Sequence, residues 1–197
     1  MGNDRTVCLA LVDGRVVDVQ SWRRAMPEKI VVQALTMAAK WGVPQENIQF
    51  DAIGGVGGSL KRAFEVARVP AWPVYMGGEV KDDWRYLFGK DAHLHFINRR
   101  AELHWTMRLL FENRLISMDP SFYPLFVVES CQLVYGFLDT GKLYIESKDK
   151  KYKPRTGFSP DHNDALVLSL ARDRIHFAGM SGGDIPSRKE HKLQFPR

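Results

Sequence analysis

Strand-like and helix-like segments alternate over the first eighty residues, and this alternation restricts the fold more than any other feature of the chain. TVCLALV and RVVDVQSW are rich in strand-forming residues, and Asp13-Gly14 between them predicts a two-residue hairpin turn. Apolar residues at helical spacing begin near Pro27 and end at Gly42. NIQF then predicts a short buried strand, followed by a glycine-rich stretch, a helix from about Ser59 to Arg68 and an edge-like strand. We therefore expect an α/β fold.

The second half of the chain continues with helices and short strands. Asn98 is a suitable cap for a helix that runs to about Glu112. KLYIES predicts a strand, and the following KDKKYKPR predicts a basic loop. In SPDHNDAL, we expect Ser159 to cap a helix and Pro160 to occupy its first position.

Composition excludes several classes of protein. The 197 residues are 45% hydrophobic, 26% charged and 11% aromatic, which indicates a chain that buries a core and excludes a disordered one. Two cysteines exclude a disulfide scaffold and a multi-cysteine zinc site, and they suit a reducing cytosol. No apolar run is long enough to span a bilayer. We assign residues 1–175 to one domain and residues 176–197, rich in Gly, Pro and charge, to a flexible tail.

Asp51 is the first candidate site residue. It lies where the predicted strand NIQF gives way to AIGGVGG, so its carboxylate is presented at the edge of the sheet where α/β proteins place their sites. The glycines allow another chain or a phosphate backbone to come close. The alternative is a turn residue that accepts backbone N–H groups.

Asp161 and Asp164 form the second candidate, because residues three apart share one face of a helix. Two carboxylates roughly 4 Å apart repel by about 4 kcal/mol at an effective dielectric constant of 20. A helix N-terminus offsets part of this repulsion, and a divalent cation offsets more. Ligation by oxygen alone favours Mg²⁺ or Mn²⁺ over zinc. The alternative for Asp161 is that it only favours the helix N-terminus.

A basic run precedes this helix. The chain has 28 Lys and Arg against 23 Asp and Glu, a net charge of +5 that permits a polyanionic partner without requiring one. Phosphate contacts on the approach to a metal site would use the cations of the run, and a solvated loop is the alternative. The candidate DNA-binding residues are Lys148, Lys150, Lys151, Lys153 and Arg155.

Two other patterns are rejected as sites. GFLDTGKL has the spacing of a phosphate-binding loop, but Leu143 stands where Ser or Thr must reach Mg²⁺. His93, His95 and His104 are separated by two and nine positions without a supporting cysteine, and we expect them in a loop or on a helix surface.

The order of these motifs resembles the C-terminal nuclease domain of phage terminase large subunits. The resemblance extends from about Asp4 to Arg172 and is carried by DRTV, the strand that ends at Asp51, FINRRAELHW, KLYIESKD and SPDHNDAL. It implies an RNase H-like mixed β-sheet flanked by helices. It also implies a metal-dependent endonuclease that cuts concatemeric double-stranded DNA during genome packaging by two-metal hydrolysis of a phosphodiester.

The resemblance also assigns roles to the carboxylates. Asp51 matches the family's second acidic position, and Asp164 matches the last one with Asp161 beside it. The family's first carboxylate stands on a strand before a stretch like GNDRT, so we expect that strand upstream of Met1. The motor domain is missing as well, and the chain therefore resembles a nuclease domain cut short.

The implied partners are double-stranded DNA, the terminase motor domain, the small terminase subunit and the portal, in the host bacterial cytoplasm and without a membrane. Two alternatives stay open. In the first, the chain is a catalytically silent fragment that keeps contacts with DNA or packaging partners. In the second, the chain is another RNase H-like enzyme, such as a resolvase or integrase, which shares the metal chemistry but not the FINRRAELHW stretch.

Overall fold

The computed structural model of the chain describes residues 4–80 and 92–171. The predicted tail at 176–197 lies outside the described residues. Within the two described ranges, no helix has both the length and the apolar character that crossing a bilayer requires.

The predicted hairpin opens the fold. β1 (Arg5–Val12) pairs antiparallel with β2 (Arg15–Arg23). Asp13 and Gly14 between them have φ values of 47° and 75°, the positive values that the tight primed turn requires. The two-residue turn predicted from Asp13-Gly14 is therefore confirmed.

The predicted alternation follows the hairpin. The elements are α1 (Pro27–Lys40), β3 (Gln49–Asp51), α2 (Gly54–Val66) and β4 (Trp72–Val74). The expected start of α2 near Ser59 is wrong, because most of the glycine-rich stretch already belongs to the helix. Gly57 makes this possible: a Cβ there would lie 2.5 Å from the carbonyl carbon of Ala52, so only glycine lets the helix approach β3 this closely.

The second half contains α3 (Ala92–His95), α4 (Arg99–Glu112), β5 (Ser117–Met118), α5 (Tyr123–Ser130), β6 (Tyr135–Phe137), β7 (Leu143–Ile145), a π-helical turn (Lys148–Tyr152), α6 (Lys153–Thr156) and α7 (Asp161–Ser169). Asn98 caps α4 as predicted, since its side chain accepts a 2.9 Å hydrogen bond from the Ala101 N–H.

Two local predictions in this half are wrong. The basic run is not a loop but two helical turns, which Ser147 caps at the Lys150 N–H and the fully buried Tyr152 anchors. Ser159 does not cap α7. Pro160 occupies the cap position, and the Ser159 hydroxyl donates to the Asp161 carboxylate at 2.5 Å instead.

The strands form separate sheets. One contains β1, β2 and β5, with β2 and β5 parallel; another contains the parallel pair β3 and β4; the third is the β6–β7 hairpin. Among the described residues, no strand joins β1 to β3, although α7 packs against both. The fold is thus a mixed α/β arrangement, as predicted.

Helices cover both faces of the first hairpin. Leu9 packs into a core formed with α4 and α7, whereas its neighbour Cys8 packs into a second core formed with α1, α2 and β3. Successive strand residues point to opposite faces, so one strand serves both cores. This layering places the start of β1, the end of β3 and the start of α7 on one side of the molecule.

Candidate metal centre

Asp161 and Asp164 converge on one cationic group. The Nζ of Lys148 lies 2.9 Å from Asp161 Oδ1 and 3.0 Å from Asp164 Oδ2. The expected sharing of one helix face is therefore confirmed. The positive charge that compensates the two carboxylates in this structure is the lysine ammonium.

Asp161 is held by several donors. Its Oδ2 accepts a 2.6 Å hydrogen bond from the backbone N–H of Arg5, at the start of β1. Its Oδ1 accepts from the Ser159 hydroxyl as well as from Lys148. Asp161 is 8% exposed, so these bonds replace water around a buried carboxylate and fix its position relative to β1.

Asp164 has one carboxylate oxygen that lacks a hydrogen bond. Its buried Oδ1 lies 3.8 Å from His104 Nε2 and 3.9 Å from Arg100 Nη2. Neither of these buried nitrogen atoms has a hydrogen-bond partner either. Buried polar groups are costly to leave unpaired, so an incompletely bonded group of this kind marks a candidate functional site.

Asp51 ends β3 and interacts electrostatically with this pair. Its Oδ1 accepts a 3.0 Å hydrogen bond from the Ile53 N–H. Protein atoms that displace water raise the pKa of the Asp51 carboxyl, the bond from Ile53 lowers it and the negative charge of Asp164 raises it again, with a net increase. The charge of Lys148 also acts on Asp51, so the three aspartates share one electrostatic environment.

The carboxylates likewise determine the charge of Lys148. Burial opposes that charge, but Asp164 and Asp161 outweigh the effect of burial and raise the pKa of Lys148 above its ordinary value. The ammonium is therefore charged throughout the physiological pH range.

The remaining basic residues lie around the same helical turns. Lys153 Nζ contacts Asp4 at 2.9 Å and Asp149 at 2.8 Å, and the Arg155 guanidinium donates to the Glu146 carboxylate. Lys150 and Lys151 are exposed. The predicted contacts of this run with DNA stay a prediction.

His104 belongs to the site, although it was not predicted to lie there. It was expected at a surface, but it lies on α4 with 5% exposure and faces Asp164. Burial lowers the pKa of His104 to about 4, so the imidazole is neutral near pH 7. The sequence did contain a signal: Arg100 and His104 are four residues apart on one helix, which places both on the face that meets α7.

The donors suit an oxygen-ligated divalent cation. Asp161 and Asp164 already surround a cationic group, and Asp164 keeps an unpaired oxygen. However, within residues 4–80 and 92–171, no group of three or more His, Cys, Asp or Glu side chains is arranged to hold a metal ion. Among the described residues, the oxygen donors around the one observed cation position are those of Asp161 and Asp164, and the Lys148 ammonium occupies that position.

Comparison with known proteins identifies the fold. No family model and no curated protein matches the chain. Solved structures do match. A lysine-to-alanine variant of the nuclease domain of the large terminase subunit gp2 of bacterial virus Sf6, with manganese and β-thujaplicinol, superposes with a TM-score of 0.67 at 19% identity, covering 85% of this chain and 82% of that one.

The large terminase nuclease from thermophilic phage G20c is also similar. One structure gives a TM-score of 0.58 at 13% identity over 87% of this chain and 77% of that one. Its form with bound magnesium gives a TM-score of 0.52 at 13% identity over 85% and 75%. The chain thus has the RNase H-like fold of the nuclease domains of phage large terminase subunits.

Proposed function

We propose that this chain is the nuclease domain of a phage terminase large subunit, a divalent-metal-dependent endonuclease that cuts concatemeric double-stranded DNA during genome packaging. The observation that carries the proposal is the convergence of Asp161 and Asp164 on one cation position, with Asp51 in the same electrostatic environment. The structural neighbours with manganese and with magnesium support this chemistry.

Each aspartate has a separate role in this proposal. Asp161 and Asp164 would hold Mg²⁺ or Mn²⁺ from α7, and Asp51 would complete the ligand set from the end of β3. Bound divalent cations supply the charge that activates water and stabilises the leaving oxygen in phosphodiester hydrolysis. Arg5 and Ser159 contribute by fixing Asp161, since their donors restrict the rotation of its carboxylate.

The basic helical turns would bind the DNA backbone. Lys150 and Lys151 are exposed beside the site, and Lys153 and Arg155 follow on the next turn. Lys148 differs from them because its ammonium contacts the aspartates in this structure. A divalent cation that replaced this ammonium would leave Lys148 free to contact a phosphate.

The assembly and location of the protein belong to the same proposal. We propose a motor domain, a small terminase subunit and a portal as its packaging partners, in the cytoplasm of the bacterial host.

Plasmid nicking tests the enzymatic assignment. We expect the chain to nick supercoiled plasmid with Mn²⁺, and Asp51→Asn, Asp161→Asn and Asp164→Asn each to abolish this activity. Asp139→Asn is the matched control, because Asp139 is exposed in the turn between β6 and β7. Undiminished cleavage by both Asp51→Asn and Asp164→Asn would falsify the assignment.

A second function is favoured by one observation. Because Lys148 compensates the two carboxylates and the described residues form no metal-holding group of three, the chain would instead be a catalytically silent fragment that binds DNA or packaging partners. DNA binding without nicking, even at high Mn²⁺ concentration, would favour this alternative. A preference for branched DNA over linear duplex would favour a resolvase-like enzyme.

A further inference from the structure

The two ring nitrogens of His104 have different surroundings. The side-chain amide nitrogen of Asn163 lies 3.4 Å from His104 Nδ1. The amide oxygen of Asn163 accepts a 2.7 Å hydrogen bond from the Ser130 hydroxyl. In this structure the amide oxygen of Asn163 therefore faces Ser130, and its NH₂ group faces the imidazole.

This contact selects one tautomer of His104. An amide NH₂ group only donates, so Nδ1 must accept, and a neutral imidazole then carries its proton on Nε2. A protonated Nε2 has no lone pair for a metal ion. His104 is therefore a hydrogen-bond donor toward Asp164 and not a metal ligand.

An acceptor that lacks a hydrogen bond, Oδ1 of Asp164, faces this donor. His104 Nε2 and Asp164 Oδ1 are 3.8 Å apart, and neither atom has a hydrogen-bond partner. In this structure Lys148 holds the other oxygen, Oδ2, at 3.0 Å. A carboxylate movement of about 1 Å would bring Oδ1 within hydrogen-bond distance of Nε2.

We propose that His104 is a positioning residue for Asp164. Its Nε2–H donates to Asp164 Oδ1 when a divalent cation replaces the Lys148 ammonium, and Oδ2 is thereby left to face the cation. The Asn163 NH₂ group, which faces Nδ1, favours the tautomer that can donate through Nε2. The inference rests on the proposed function for the cation, whereas the tautomer is a property of the protein alone.

Nitrogen NMR of histidine-labelled protein tests the tautomer directly. We expect His104, assigned by its absence from the His104→Gln spectrum, to show a protonated Nε2 and an unprotonated Nδ1. Addition of Mg²⁺ should shift the Nε2–H proton downfield as the bond to Asp164 forms. A proton on Nδ1 would overturn the proposal. So would an Nε2–H signal that stays unchanged when Mg²⁺ shifts other signals of the protein and is therefore bound.

Two substitutions separate positioning from packing. His104→Leu removes the donor, and we expect Mg²⁺ affinity measured by calorimetry to fall by about 10- to 100-fold, as for other residues that orient metal ligands. His104→Gln keeps an amide donor and should recover most of the affinity. Equal affinity in the Leu variant and the unsubstituted protein, or equal loss in both variants, contradicts the role.

The experiments distinguish failure of the nuclease assignment from failure of the inference about His104. If Mg²⁺ and Mn²⁺ do not bind and plasmid is not nicked, the nuclease assignment is wrong. In that case the tautomer still decides whether His104 can donate to Asp164, and a proton on Nδ1 overturns the inference by itself.

Discussion

The Lys148 ammonium lies 3.0 Å from Asp164 Oδ2 and at the same time contacts Asp161, so one side chain neutralises much of the charge of the acidic pair. The candidate ligands are thereby held close together without a metal. Any divalent cation at this position must displace a group whose pKa the carboxylates themselves have raised.

Replacing Lys148 should weaken the protein without metal and tighten its binding of metal. In Lys148→Ala the two carboxylates lose their cation, and we expect the free energy of unfolding to fall by about 1–3 kcal/mol in EDTA. Mg²⁺ should raise the stability of the variant, and half of this increase should occur at a lower Mg²⁺ concentration than for the unsubstituted protein. Thermal unfolding over a Mg²⁺ titration measures both effects.

Lys150→Ala is the matched control for Lys148→Ala, because Lys150 is exposed on the same helical turn. It should leave both the stability and the Mg²⁺ midpoint unchanged. A Lys148→Ala protein with unaltered Mg²⁺ affinity would show that the ammonium does not compete with the cation.

Gly57→Ala should displace α2 from the end of β3 and thereby lower nicking. The added Cβ would lie 2.5 Å from the Ala52 carbonyl carbon and 2.9 Å from the Asp51 carbonyl oxygen, so the backbone must shift beside a proposed ligand. We expect a loss of about 1–3 kcal/mol in urea unfolding and reduced Mn²⁺-dependent cleavage.

Gly58→Ala, at the next residue, should have the opposite effect on stability. Its Cβ would meet nothing within 4 Å, and alanine favours a helix over glycine by about 1 kcal/mol. Gly58→Ala should therefore stabilise the protein and retain its activity. If the two alanine variants behave alike, the close approach at Gly57 does not position Asp51.

Breaking the buried ion pair of α4 should be far more damaging than breaking an exposed one. Arg99 Nη1 lies 2.9 Å from Glu102 Oε2, and both side chains are almost wholly buried. Glu102→Leu leaves the guanidinium charge of Arg99 inside the protein and should cost about 3–5 kcal/mol in urea unfolding.

The exposed pair of the same helix, Arg108 and Glu112 at 2.8 Å, is the control for that substitution. Glu112→Ala should cost less than about 1 kcal/mol. Comparable losses from the two substitutions would mean that burial does not determine the strength of the inner pair.

The two thiols should differ in reactivity. Burial raises the pKa of the Cys8 thiol to about 11, whereas Cys131 is exposed. Because the thiolate is the reactive form, a disulfide reagent at pH 8 should modify Cys131 first and Cys8 at least about tenfold more slowly. The rate at Cys8 should rise as the pH approaches 11. A Cys131→Ser protein that reacts as fast as the unsubstituted one would contradict this.

Local chemistry made much of the fold predictable. Asp13-Gly14 forms a turn with positive φ, Pro27 is tolerated within a helix only at its first turn, and Asn98 satisfies an N–H group that a helix start leaves unpaired. Each signal acts over a few residues, so sequence alone was sufficient. The position of Asp161 and Asp164 on one helix face was predictable for the same reason, because it depends only on their separation of three residues.

Contacts between distant segments were not predictable. The basic run is helical because Tyr152 is buried, and its hydroxyl bonds to the Glu129 carbonyl on α5, far along the chain. His104 is a site residue only because α4 packs against α7. The compensation of both aspartates by Lys148 likewise depends on tertiary structure, and charge patterns along the sequence do not show it.

The division between β1 and β3 affects the site itself. Asp161 is tied to β1 through the Arg5 N–H, whereas Asp51 belongs to β3, and among the described residues no backbone ladder connects these two strands. The two strands are connected through α7, including a 3.2 Å bond from the Gln49 side chain to the Ser169 carbonyl, and through the core in which Cys8 packs with β3. The distance between Asp51 and Asp161 is therefore set by packing between helices and side chains, and no interstrand hydrogen bond between β1 and β3 contributes to it.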